Sequence, residues 1–156
     1  MEESINISIK DELVDTICEG MKLKKQDASL MSPLVLAYIG DAVYEILVRT
    51  KIISESGAQV NQLHRMSTML VKAHAQAEIV KLIELTEEEN KIYKRGRNAK
   101  SVTMAKNATM ADYRSATGFE ALIGYLYISG QTERMLELVH DGIDKYQNRI
   151  KSKKKI

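Results

Sequence analysis

Two apolar helical segments of this chain each carry an acid, and that pairing constrains the fold more than any other feature. The run 33–48, PLVLAYIGDAVYEILV, is apolar on nearly every side of a helix, yet it holds Asp41 and, one turn later, Glu45. The run 117–128, TGFEALIGYLYI, is as apolar and holds only Glu120. A helix that is apolar all round is normally buried. An ionised carboxylate there needs a cation, a metal or strong donors, or it takes up a proton. Gly40 and Gly124 sit close to the acids in sequence, and glycine lets two backbones approach closely. The expected arrangement is two core helices crossing with their acids facing one another, a natural site for a hard cation.

The rest of the chain reads as helix. Ile9, Leu13, Ile17 and Met21 share one face of a helix over about 8–20. Ser32 caps the first acidic helix, with Pro33 at the position where proline is best tolerated. After a break at 54–57, a long helix is expected over about 60–85, with Leu63, Met66, Leu70, Ala73, Ala77, Val80 and Ile83 at helical spacing. Thr86 and Glu89 form a capping box for a helix over about 87–95, which leads into a loop over 96–108. Thr109 caps the helix of Glu120, which ends near Ser129 and Gly130, and a final helix covers about 132–149. No segment alternates as a strand and no repeat is present. The expectation is a single all-α domain over 1–156, with its core at about 30–149 and a basic tail at 150–156.

Composition agrees with this reading. One Pro and eight Gly among 156 residues favour helices, and the lone Cys18 excludes an intramolecular disulfide framework. The N-terminus has neither the basic nor the apolar region of a signal peptide, and no uncharged apolar run could span a bilayer. A cytoplasmic protein that does not enter membranes is expected. The net charge of +2 is too small to argue for nucleic acid, but positive charge gathers at 91–100 and in the tail at 151–155. A solvated, frayed end would explain the tail as well as contact with RNA.

At the acids the chain resembles a known family. Tyr38-Ile39-Gly40-Asp41-Ala42-Val43 resembles the second half of the ribonuclease III signature helix, and Phe119-Glu120-Ala121-Leu122-Ile123-Gly124 resembles that family's second acidic helix. Lys94-Arg95-Gly96-Arg97-Asn98-Ala99-Lys100, with Ala37-Tyr38 ahead of the Gly-Asp pair, is similar to the bacterial Mini-III subfamily, in which the catalytic domain carries no double-stranded-RNA-binding domain. The resemblance runs from about 30 to about 138. It implies Mg²⁺-dependent hydrolysis of phosphodiesters in double-stranded RNA by a homodimer with one site per strand. It further implies a role in maturing precursor 23S ribosomal RNA, with a ribosomal protein as a further partner. The rival reading is a non-catalytic helical RNA-binding factor in ribosome assembly.

Residue by residue, the resemblance makes Asp41 and Glu120 the catalytic, metal-holding acids. The wider family has glutamates at the positions of Leu34 and Ala37 and an aspartate at that of Thr117, so this chain keeps two of the usual acids and lacks three. Glu45 or Thr117 could add to the site through a water, although a salt bridge with Arg49 at i+4 would equally account for Glu45. Lys94, Arg95, Arg97 and Lys100 are expected to track a phosphate backbone around a flexible Gly96, because Arg and Lys grip phosphates and double-stranded RNA is read largely by shape. His64, Arg65 and Lys72 are further candidates for that surface.

Overall fold

The computed structural model describes residues 12–100 and 109–154. Among them there is no strand. Seven helices are present: α1 Leu13–Met21, α2 Pro33–Glu55, α3 Val60–Val71, α4 Ala73–Lys81, α5 Glu87–Asn98, α6 Met110–Ile128 and α7 Thr132–Lys154, with a 3₁₀ turn at Ala28–Leu30. The expected caps form. Ser32 Oγ accepts from the Val35 amide at 3.3 Å and Thr109 Oγ1 from the Asp112 amide at 3.0 Å. Thr86 and Glu89 close a reciprocal capping box.

α6 is the central helix, packed against α2, α4, α5 and α7. Its closest approach is to α2. A Cβ placed on Gly40 would lie 1.8 Å from the Glu120 carbonyl oxygen, and one on Gly124 would lie 1.9 Å from the Leu36 carbonyl oxygen. The two backbones therefore touch with no side chain between them. On another side of α6, Gly96 of α5 meets Gly118 and Ala121. Tyr44 and Phe119 fill the volume beside the α2–α6 crossing, edge to face with ring centroids 5.3 Å apart.

Several expectations are corrected. The helix over 60–85 is two helices, broken at Lys72, whose ψ of 155° is extended. Neither Gly nor Pro causes the break. Tyr44 Oη donates to the Leu70 carbonyl at 2.8 Å and Gln76 Nε2 to the Val71 carbonyl at 2.8 Å, so side chains satisfy groups that a continuous helix would have paired. The expected loop at 96–100 is largely helix, because α5 runs through Gly96 to Asn98; residues 101–108 lie outside the described residues. Gly96 is buried and close-packed, so it is no flexible hinge.

α1 turns a different face inward. Val14 is buried and Cys18 packs on the core, while Leu13, Ile17 and Met21 are exposed; the residues expected to begin this helix, Ile9 among them, lie outside the described residues. α2 is not buried all round. Its α6-facing side is closed, but Val35, Tyr38, Ile46 and Ile53 are exposed, Tyr38 at 81%. The final helix also outruns its expected end and carries the tail lysines to Lys154.

Glu89 is buried at 5% exposure and anchors α5 to α7. Arg134 grips both its oxygens, at 2.8 and 2.9 Å, and the Thr86 amide donates to it at 2.9 Å. Arg134 holds this carboxyl below the usual carboxylate range despite its burial. A lowered value in the fold gives stability that is complete above the unfolded-state range and lost as pH falls through the folded value. Glu89→Gln should therefore cost about 2 kcal/mol at neutral pH. In melts taken progressively into acid the gap to the parent should close as pH falls through the folded value. A gap that persisted in acid would mean that the charge on Glu89 does not matter.

Candidate active site

The glycine crossing sets the geometry of the acids. Gly40 lays α2 on the Glu120 carbonyl, and Asp41, the next residue, brings its carboxylate to the Glu120 side chain. Glu120 is half-buried and Asp41 is exposed, so the pair forms a floor and a rim. Burial pushes the Glu120 carboxyl well above the usual carboxylate range, and the Asp41 charge pushes it further. Glu45 adds a smaller push, while a hydrogen bond from Gln76 Nε2 to Glu120 Oε2 at 3.2 Å opposes it.

No described Lys or Arg pairs with Asp41 or Glu120, so the alternative of a buried acid neutralised by an internal cation finds no support among the described residues. Two carboxylates held together in this way repel when both are ionised, and an arriving divalent cation would relieve the repulsion. No group of three or more His, Cys, Asp and Glu side chains able to hold a metal occurs among the described residues. The donor set is thus two carboxylates, few enough to suit an ion that keeps its waters and shares a substrate phosphate.

The remaining expected site residues divide. Glu45 takes the salt bridge to Arg49, at 3.3 Å and largely in solvent, while lying near enough to Glu120 to act on it. Thr117 is buried, and its hydroxyl donates to the Tyr113 carbonyl at 3.0 Å, so its proton is committed within α6. Lys94, Arg95 and Arg97 lie in the last turn and a half of α5, and Lys100 follows that helix. Arg97 stacks over the Tyr93 ring at 5.6 Å. Gly96 packs on Thr117, Gly118 and Ala121, which sets this basic helix end level with Glu120 along α6. His64 and Arg65 are exposed on α3, and Lys72 is exposed at the break. The sequence reading missed Gln76, which touches Glu120 directly. The available signal was a polar residue in the apolar stripe of Ala73, Ala77 and Val80.

Comparison with known proteins gives the family. The family model described as Ribonuclease III domain matches residues 34–131, which include both acids and the basic end of α5. Mini-ribonuclease 3 of Clostridium tetani is 53% identical over 131 residues, covering 82% of this chain and 87% of the relative. Mini-ribonuclease 3 of a Thermoanaerobacter species is 51% identical over 119 residues, covering 75% of this chain and 84% of the relative. A crystal structure of a Fusobacterium nucleatum protein is similar with a TM-score of 0.68 at 30% identity, covering 78% of this chain and 99% of that one.

Proposed function

This chain belongs to the ribonuclease III family, in its Mini-ribonuclease 3 branch, and from that premise we propose that it is an endoribonuclease that hydrolyses double-stranded RNA with Asp41 and Glu120 as its catalytic acids. The observation that carries the assignment of the acids is the Gly40–Gly124 crossing, which presses the two carboxylates together inside the matched region. A divalent metal held by these two carboxylates, Mg²⁺ in our reading, would supply a water of lowered pKa and positive charge for the scissile phosphate. Asp41 reaches solvent, where a phosphate can approach, and half-buried Glu120 offers a poorly hydrated anion that gains most from a cation. Glu45 and Thr117 remain candidates for contact through water. The substrate in this reading is precursor 23S ribosomal RNA, met in the cytoplasm with a ribosomal protein as partner. The exposed Val35, Tyr38, Ile46 and Ile53 on α2 support a homodimer that presents one site to each RNA strand.

The test is to incubate the purified chain with long double-stranded RNA, with and without Mg²⁺. Cleavage only with the metal is expected; binding without cleavage would leave a non-catalytic RNA-binding factor. The RNA surface is tested separately, with Lys94, Arg95, Arg97 and Lys100 as its main contacts and His64, Arg65 and Lys72 of the α3 region at its edge. Replacing Arg95, Arg97 and Lys100 together by Ala should weaken binding and reduce the slope of log K against log[salt] by about 2 to 3, since fewer counterions are released. Turnover at saturating RNA should change less. An unchanged slope would remove this helix end from the interface.

A further inference from the structure

Gln76 is one of two described side chains with a buried polar atom that lacks a hydrogen-bond partner. It is 2% exposed on α4, a helix whose other buried residues are Ala75, Ala77, Ile79 and Val80, and its Oε1 has no hydrogen-bond partner among the described residues. Burying a polar group without a partner is unfavourable, and an apolar side chain of similar volume would avoid it. The other half of the amide is fully used. Nε2 donates to the Val71 carbonyl at 2.8 Å and to Glu120 Oε2 at 3.2 Å. Both partners are acceptors, so the orientation is determined: turning the amide over would set oxygen against oxygen twice. The side chain thus ties the joint between α3 and α4 to one oxygen of the half-buried acid.

We infer that Gln76 is a positioning residue for Glu120, fixing one carboxylate oxygen so that the other is presented to a cation shared with Asp41. The inference rests on the metal reading of the Asp41–Glu120 pair. A neutral donor suits this task, because it steadies a carboxylate without cancelling its charge, whereas a Lys or Arg in its place would occupy the site as a counter-ion. Groups that orient a ligand from behind typically change metal affinity or activity by 10- to 100-fold when removed. The orphaned Oε1 is then the cost of placing the Nε2 donor where Glu120 needs it.

The experiment compares the full-length chain with Gln76→Met and Gln76→Asn. Mg²⁺ binding is read by calorimetry without RNA, metal-free stability by melting, and cleavage as kcat and KM separately. Gln76→Met should weaken Mg²⁺ binding by about 10- to 100-fold and lower kcat at limiting Mg²⁺ by a similar factor, with KM for RNA unchanged. Its metal-free melting temperature should change little, because the unpartnered Oε1 goes while the Val71 carbonyl loses its donor. Gln76→Asn keeps an amide but falls one methylene short of Glu120, so it too should bind Mg²⁺ weakly. A residue with only a packing role gives the opposite pattern, a lower melting temperature with unchanged Mg²⁺ affinity, and that result would overturn the inference. Failure of both variants to fold would overturn it equally. A parent chain that itself bound no Mg²⁺ would instead overturn the metal reading beneath it.

Discussion

Asp41→Asn and Glu120→Gln should each reduce cleavage of double-stranded RNA on the order of a thousandfold or more, the size expected when several kcal/mol of charge interaction is lost at the reacting phosphate. Both changes remove a charge and almost no volume, so the fold should survive. Stability should even move the other way for Glu120. Its carboxyl is raised in the fold by burial and by Asp41, so the folded chain holds that proton more tightly than the unfolded chain does. The resulting stability is complete below the ordinary carboxylate range and is lost as pH rises through the raised value. Glu120→Gln removes the dependence. The metal-free variant should therefore melt above the parent in alkaline solution, with the difference closing in acid. Asp41 is exposed, but Asp41→Asn lifts its repulsion of Glu120, so it should raise the alkaline melting temperature in the same direction by a smaller amount. Turnover near that of the parent in either variant would remove that acid from the mechanism, whatever the melts showed.

Gly40→Ala and Gly124→Ala should be the most damaging single-methyl changes in the chain. The added carbons would sit 1.8 and 1.9 Å from backbone oxygens of the opposite helix, and backbone cannot swing aside as a side chain can. α2 and α6 would have to part by more than an ångström along the whole crossing, opening the packing around Tyr44 and Phe119. A loss above about 4 kcal/mol is expected, enough to leave little folded protein at working temperature. Gly20→Ala supplies the control: nothing lies within 4 Å of its added carbon, and it sits in the helical part of α1. It should stabilise by about 0.5–1 kcal/mol. Denaturant melts of the three variants decide the matter, and a Gly40→Ala protein as stable as its parent would mean that the helices are not in backbone contact.

What could be read from the sequence was local or strongly periodic. Ser32 with Pro33, the Thr86–Glu89 box and Thr109 are short-range signals, and each starts its helix as expected. The meeting of Asp41 and Glu120 was legible because an acid in an apolar helix must be answered by something, and the adjacent glycines indicated how closely the answer could come. What escaped was set by partners distant in the chain. Gly96 looked like a hinge because its neighbours are cationic; its role as a contact depends on Gly118 and Ala121, which only the fold brings near. The exposed side of α2 escaped because an apolar helix surface has the same composition whether it meets this chain or another. α1 turned on its axis because two stripes were available to it, and the core took Val14 with Cys18.

The interruption at Lys72 has a consequence for how the chain assembles. Residues 60–81 contain neither Gly nor Pro, so nothing in this stretch opposes one unbroken helix. At the bend the Tyr44 hydroxyl meets the Leu70 carbonyl and Gln76 meets Glu120, contacts that exist only with α2 and α6 docked. In the fold this stretch is an elbow, and local preference and global arrangement disagree at one residue. The turn that brings Gln76 to Glu120 is thus written in the partners of this stretch, on α2 and α6, and not in the stretch itself.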